Sequence, residues 1–271
     1  MDDKTRREMR REIREAFRSE LIADLHLKNE QVSEAVELYY ESQSLRIRFA
    51  NKERSEGRGE LTDWFNYWLE IGEKTMYGKL AEWVESERSS KEAKWAYAQV
   101  GIGPVIAAGL SAHIDVAKAD TVSSVWKFAG LAPGFDRRVK GTKLPYNGRL
   151  KVLCWKAGDS FVKVSGKEGA TYGKLYSEFK AEEIRKNDAG LYKDAAKREL
   201  ETKKFKQEDS VTKQRLKEGK LSDAHLHARA KRKTVKLFLS HYYVIGRKAR
   251  GLAVREPYSK TNLGHDGIIE P

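Results

Sequence analysis

Apolar residues recur along this chain at helical intervals, and no stretch alternates as a half-buried strand requires. In residues 1–28, Met9, Ile13, Phe17, Leu21 and Leu25 fall four apart, leaving a narrow, slowly drifting stripe on a charged helix. Such a stripe suits one neighbour and would be exposed on a monomer, so a homodimer or higher oligomer is expected. A second helix over about 31–54 carries Val32, Val36, Tyr39, Tyr40, Ile47 and Phe49, and "SEGRGE" ends it with two glycines. From Leu61, Trp64, Phe65, Trp68, Leu69, Met76, Leu80 and Trp83 predict a buried helix–helix seam, capped by Thr62 or Asp63. A short helix from Thr121 to Ala129 stops at Gly130. Another over 148–164 puts Leu150, Leu153, Cys154, Ala157, Phe161 and Val164 on one face. The last, from Ser222 or Asp223 onward, offers Val235, Leu237, Phe238, Leu239, Tyr242 and Val244 to a core, and the tail from Glu256 reads as extended. The expected fold class is mainly α, a helical bundle with long charged helices.

Composition narrows the class. Hydrophobic residues make up 39% and charged residues 34% of the 271 positions, so apolar area is limited, but six tryptophans, twelve tyrosines and nine phenylalanines supply a core. The single Cys154 excludes an internal disulfide framework and a cysteine zinc site. No uncharged stretch approaches the ~20 residues of a membrane span. A cytoplasmic protein is expected.

Charge is more telling once located. The net charge is +13, yet the window 134–156 alone carries +6 and the window 225–250 carries +8. The first holds Arg137, Arg138, Lys140, Lys143, Arg149 and Lys151; the second holds Arg229, Lys231, Arg232 and Lys233. Concentrated positive charge is what neutralising a phosphate backbone requires. That favours nucleic acid as partner over an anionic membrane or an acidic protein: DNA, duplex or branched, with RNA as a variant.

The stretch "QVGIGPVIAAGLSAHI", from Gln99 to Ile114, is almost free of charge. Gly101, Ile102 and Gly103 form a tight turn, and Pro104 sits where a helix begins. A helix-hairpin-helix of this kind can hold a phosphate on backbone N–H groups, or can be a corner that only packs. Asp223, His225 and His227, with His265 and Asp266, have no recognised metal spacing, and no metal site is assigned. Asp115, Asp120 and Asp159 read as caps and surface.

"GIGPVIAAGLSAHI", then "WKFAGLAP", then "NGRLKVLCWKAGDSF" resembles the C-terminal domain of the bridge-RNA-guided insertion-sequence transposases, the IS one-ten family. The match covers about 96–180. It implies a DNA-binding domain of a mobile element, and a DNA transposase or recombinase where the whole machinery is present. Two departures stand out. The family's nuclease half carries acidic metal ligands on a β-sheet, whereas residues 1–95 here read as helices. The family's nucleophilic serine lies in the loop after "GLAP", but "GFDRRVKGTKLPYNG" has none; Thr142 is the only hydroxyl at a comparable place besides Tyr146.

The expected organisation is an N-terminal helical region (1–95), a transposase-like domain (96–180), a charged helical insertion or linker (181–222), and a basic helix with tail (223–271). The expected function is DNA binding without catalysis in mobile-element or viral DNA handling. The alternatives are a serine- or threonine-type recombinase working with a separate nuclease, which would bring Mg²⁺, and a protein that coats nucleic acid. No other cofactor is expected.

Overall fold

The computed structural model describes residues 2–16, 25–57, 59–132, 141–205 and 210–255. Among them are eleven α-helices, one 3₁₀ turn at Asn29–Gln31 and no strand. The fold is all-helical. The helices are α1 (Asp3–Ala16), α2 (Val32–Glu56), α3 (Glu60–Glu85), α4 (Lys91–Tyr97), α5 (Pro104–His113), α6 (Val122–Phe128), α7 (Gly148–Lys163), α8 (Thr171–Asp188), α9 (Lys193–Thr202), α10 (Val211–Lys217) and α11 (Asp223–Ala249). Two compact units emerge: 1–97 with 103–115, and 98–102 with 116–271.

The first unit is built on the hairpin of α2 and α3. Arg46 Nε donates to the buried Glu73 carboxylate at 2.6 Å, and Phe49 meets Phe65 edge-on at 5.2 Å. The expected aromatic seam on α3 is only partly buried. Leu69, Leu80 and Trp83 are inside, while Trp64 and Trp68 remain 41% and 42% exposed and stack with Phe65 between them. Spacing fixes which residues share a face, but how much of that face finds a neighbour depends on helix crossing. Helix α3 starts one turn earlier than its expected cap: Gly59 is the N-cap, and Thr62 sits in the first turn, its hydroxyl bonding the Gly59 backbone. Of the N-terminal stripe, Ile13 is buried and Met9 half-buried where α1 packs on α3 through Arg6–Asp63 (2.8 Å) and Arg14–Tyr67 (2.6 Å), while Leu25, beyond α1, is 40% exposed. At α1 itself part of the stripe meets a neighbour within the chain; Phe17 and Leu21 lie outside the described residues. Small residues Ala107, Ala108 and Gly109 bury α5 against α2, α3 and α4.

The second unit is organised around α11, which α6, α7 and α8 surround. Ser222 caps it, its hydroxyl accepting from His225 N–H. Phe161 of α7, Tyr172 of α8 and Phe238 of α11 meet with ring centroids 5.0–5.3 Å apart. Tyr172 adds a buried hydrogen bond between its hydroxyl and His241 Nδ1 at 2.6 Å, which satisfies both polar atoms in the core. At the other end of α8, the buried Asn187 accepts from Leu221 N–H (2.9 Å) and donates to its carbonyl (3.2 Å). Beside that clasp, Ala196, Leu216, Leu221 and Leu226 make a small second core. The charged 181–222 stretch thus packs onto the start of α11, with 206–209 outside the described residues.

Phe238→Ala is expected to cost about 3–5 kcal/mol in denaturant unfolding, because it empties the centre of the aromatic cluster. Phe128→Ala, at a position 46% exposed, is expected to cost no more than about 1 kcal/mol.

Candidate nucleic-acid interface

The "GLAP" segment opens a groove. Helix α6 begins at Thr121, whose hydroxyl accepts from Ser124 N–H, and ends at Gly130 with φ of 67°. There Leu131 N–H reaches back to Trp126 O at 2.8 Å and Gly130 N–H to Lys127 O at 3.0 Å, a Schellman-type stop. A Cβ on Gly130 would lie 2.9 Å from the Tyr146 ring, so the turn sits directly on the loop preceding α7. Asn147 caps α7 through Leu150 N–H, and its own N–H donates to Phe128 O at 2.8 Å. Gly130–Ala132, one face of α7 (Lys151, Cys154, Trp155) and one face of α11 (Ala228, Lys231, Arg232, Val235) enclose a groove of about 370 Å³.

The charged residues lining it among those described are cationic: Lys151, Lys231 and Arg232. Trp155 is 58% exposed there, unusual for an indole. Lys231 Nζ lies 4.8 Å from its ring centroid and donates to Asp159 Oδ1 at 2.6 Å. Lys151 of the groove lining also lies over Tyr146 (4.2 Å), and Lys236 of α11 lies over Trp126 of α6 (4.1 Å). Burial, and then the charge of Arg232, lowers the Lys236 pKa. Cys154 is buried and its thiol is pushed up to about 12, so it packs rather than reacts.

Other expected contacts are placed differently. Arg229 is ion-paired with the buried Glu183 and lies over the Tyr192 ring; Lys233 is paired with Glu182 and lies over Phe179. Arg247 donates to the carbonyls of Val116, Ala119 and Ala253, so it fastens a loop. Part of the +8 in this window is therefore spent inside the unit, and among the described residues Arg232 is the member of the Arg229–Lys233 run that has no acidic partner. Lys143, Arg149, Lys151 and Thr142 are exposed. Arg137, Arg138 and Lys140 lie outside the described residues.

No family model, curated protein or solved structure matches this chain.

The Gly101 turn is turned inward. Gly101 and Ile102 belong to the second unit, Gly103 and Pro104 to the first. Gly101 has φ of 100°, and a Cβ on it would meet Val164 at 3.1 Å. Its carbonyl accepts from Ser160, Ile102 N–H donates to Gln99 O, and Ile102 and Pro104 are buried. The Gly101 carbonyl and the Ile102 N–H are thus engaged within the chain. The candidate metal ligands are also engaged elsewhere: Asp223 with Arg215, His225 with Glu199 (2.8 Å) and His227 with Tyr176 (2.6 Å). Among the described residues no group of three His, Cys, Asp or Glu is placed to hold a metal ion. His265 and Asp266 lie outside them. Asp120 gives its backbone carbonyl to Tyr243 OH, and no described helix is long and apolar enough to cross a membrane.

Sequence reasoning passed over Trp155 as a functional residue. The signal was present: placing Leu150, Leu153, Cys154 and Ala157 on the buried face leaves residues 151, 152 and 155 on the other.

Hydrogen bonds from Lys186 and then Lys233 hold the Glu182 carboxyl down to about 2. A lowered carboxylate pKa stabilises the fold above the ordinary value of 4.5, a contribution lost as pH falls from there toward 2. Lys233→Met is expected to raise the Glu182 titration, read by carboxyl-carbon NMR. An unmoved titration would mean that Lys233 is not committed to this pair.

Proposed function

We propose that this chain is a DNA-binding protein that holds nucleic acid in the groove between α7 and α11 and performs no strand chemistry. The observation that carries the reading is the lining: among the described residues, three cationic side chains, no acidic one, and an exposed indole. Lysine and arginine at such a surface displace the counterions of a phosphate backbone, and the gain depends steeply on salt. The sequence adds to it, because Ala132 at the groove leads directly into "PGFDRRVK", with Arg137, Arg138 and Lys140. Lys143 and Arg149, exposed ahead of α7 and in its first turn, extend the basic surface.

This reading moves phosphate contact from the Gly101–Pro104 turn, where Ile102 and Pro104 are buried and the Ile102 N–H is bonded to Gln99, to Lys151 and Arg232. Arg229, Lys231 and Lys233 contribute less than their charges suggest, since each already has a carboxylate. Lys231 instead shapes the groove. The resemblance of 96–180 to the transposase C-terminal domain supports a setting in mobile-element or viral DNA handling. The absence of a serine from the loop "GFDRRVKGTKLPYNG" supports binding over catalysis.

Binding of a fluorescent 30-base-pair duplex at two salt concentrations tests the reading. Lys151→Glu with Arg232→Glu is expected to weaken affinity more than about tenfold and to flatten the salt dependence by about two counterions. Lys233→Met is expected to change both far less. Unaltered affinity in the double variant, or no binding by the natural chain to duplex or to single strand, would overturn it.

A further inference from the structure

Trp155 separates two ways of holding nucleic acid. Its indole is 58% exposed, beside Val152 at 51%, on a helix whose Leu150, Leu153, Cys154, Ala157 and Phe161 are buried. The ring is nevertheless held in place. Gly158 lets α11 come so close that a Cβ there would lie 2.6 Å from Lys231 Cγ. The Lys231 stem therefore crosses α7 at Gly158, its ammonium is fixed by Asp159, and the same ammonium lies 4.8 Å from the Trp155 ring centroid. An exposed aromatic ring braced by a fixed cation is a preorganised surface rather than a loose side chain.

We propose that Trp155 is a stacking platform for an unpaired base, so that the groove takes a single strand, or a nucleotide displaced from a duplex, in preference to intact double helix. This deepens the DNA-binding reading and rests on it. Bases within a duplex have both faces covered by their neighbours, and only a base outside the stack can offer a face to an indole. The groove fits such a nucleotide chemically: Trp155 for the base, with Lys151 one helical turn earlier and Arg232 on the facing helix for phosphates. An acidic peptide would find the cations but make no use of the braced ring. At about 370 Å³ the groove falls within the range of small-ligand sites, which suits one base rather than the width of a duplex.

The test measures binding of a single-stranded 20-mer of thymidine, a 20-base-pair duplex and thymidine monophosphate to the full chain, to Trp155→Ala and to Trp155→Phe. Thermal unfolding of each variant checks that the fold is kept. Trp155→Ala is expected to lose about 10- to 100-fold on the single strand and less than about threefold on the duplex, with Trp155→Phe retaining most of the single-strand affinity. The monophosphate is expected to bind far more weakly than the strand, which identifies a strand rather than a free nucleotide as occupant. A 20-mer carrying 5-iododeoxyuridine is expected to photocrosslink to Trp155. Equal losses on both nucleic acids, no loss on either, or tight monophosphate binding would overturn this inference while leaving DNA binding standing. Failure of the natural chain to bind either nucleic acid would overturn both.

Discussion

The close approach of α7 and α11 at Gly158 is the constraint on which the second unit depends. With hydrogen in place of a side chain, Lys231 and Val235 can press onto α7, where a Cβ would sit 2.6 and 3.1 Å from their carbons. One turn further along α7, the same approach brings Phe161 against Phe238 and closes the aromatic cluster with Tyr172. One turn earlier, it leaves the groove with Lys231 bracing Trp155. A single small residue thus links the core to the surface on which function is proposed, and a larger one there would disturb both.

Electrostatics in this unit follow from which charges the fold consumes. Glu182 and Glu183 on α8 and Asp159 on α7 take up Lys233, Arg229 and Lys231. Those pairs are partly buried and geometrically fixed, so they set helix register more than they add to the outward field. Lys151 and Arg232 carry the remaining field at the groove. A basic helix seen in sequence becomes, in the fold, a helix with one spent face and one available face.

Local features were legible in the sequence because their causes are local. The apolar spacing placed α2, α6, α7 and α11 close to their observed bounds, and Ser222 caps α11 by the short-range bond that its type favours. The stop at Gly130 followed from the same logic. Features depending on distant partners were not legible. Arg229, Lys231 and Lys233 find their carboxylates 46, 72 and 51 residues away, so a count of charge in a window overstated what they offer a ligand. The small core of Ala196, Leu216, Leu221 and Leu226 brings apolar residues of the charged 181–222 stretch onto the start of α11, a pairing that local spacing does not reveal. The Gly101 turn shows the same divide. Its tightness could be read from two glycines, but the occupation of its carbonyl by Ser160, 59 residues on, could not.

The central claim is that nucleic acid lies in the groove between α7 and α11. Mapping lysine acetylation rates across the chain, with and without a saturating oligonucleotide, addresses it most directly. The account predicts that Lys151 is protected while Lys74, a well-exposed lysine on α3 already bridged to Glu70, keeps its rate. Protection at Lys74 with Lys151 unprotected would contradict it.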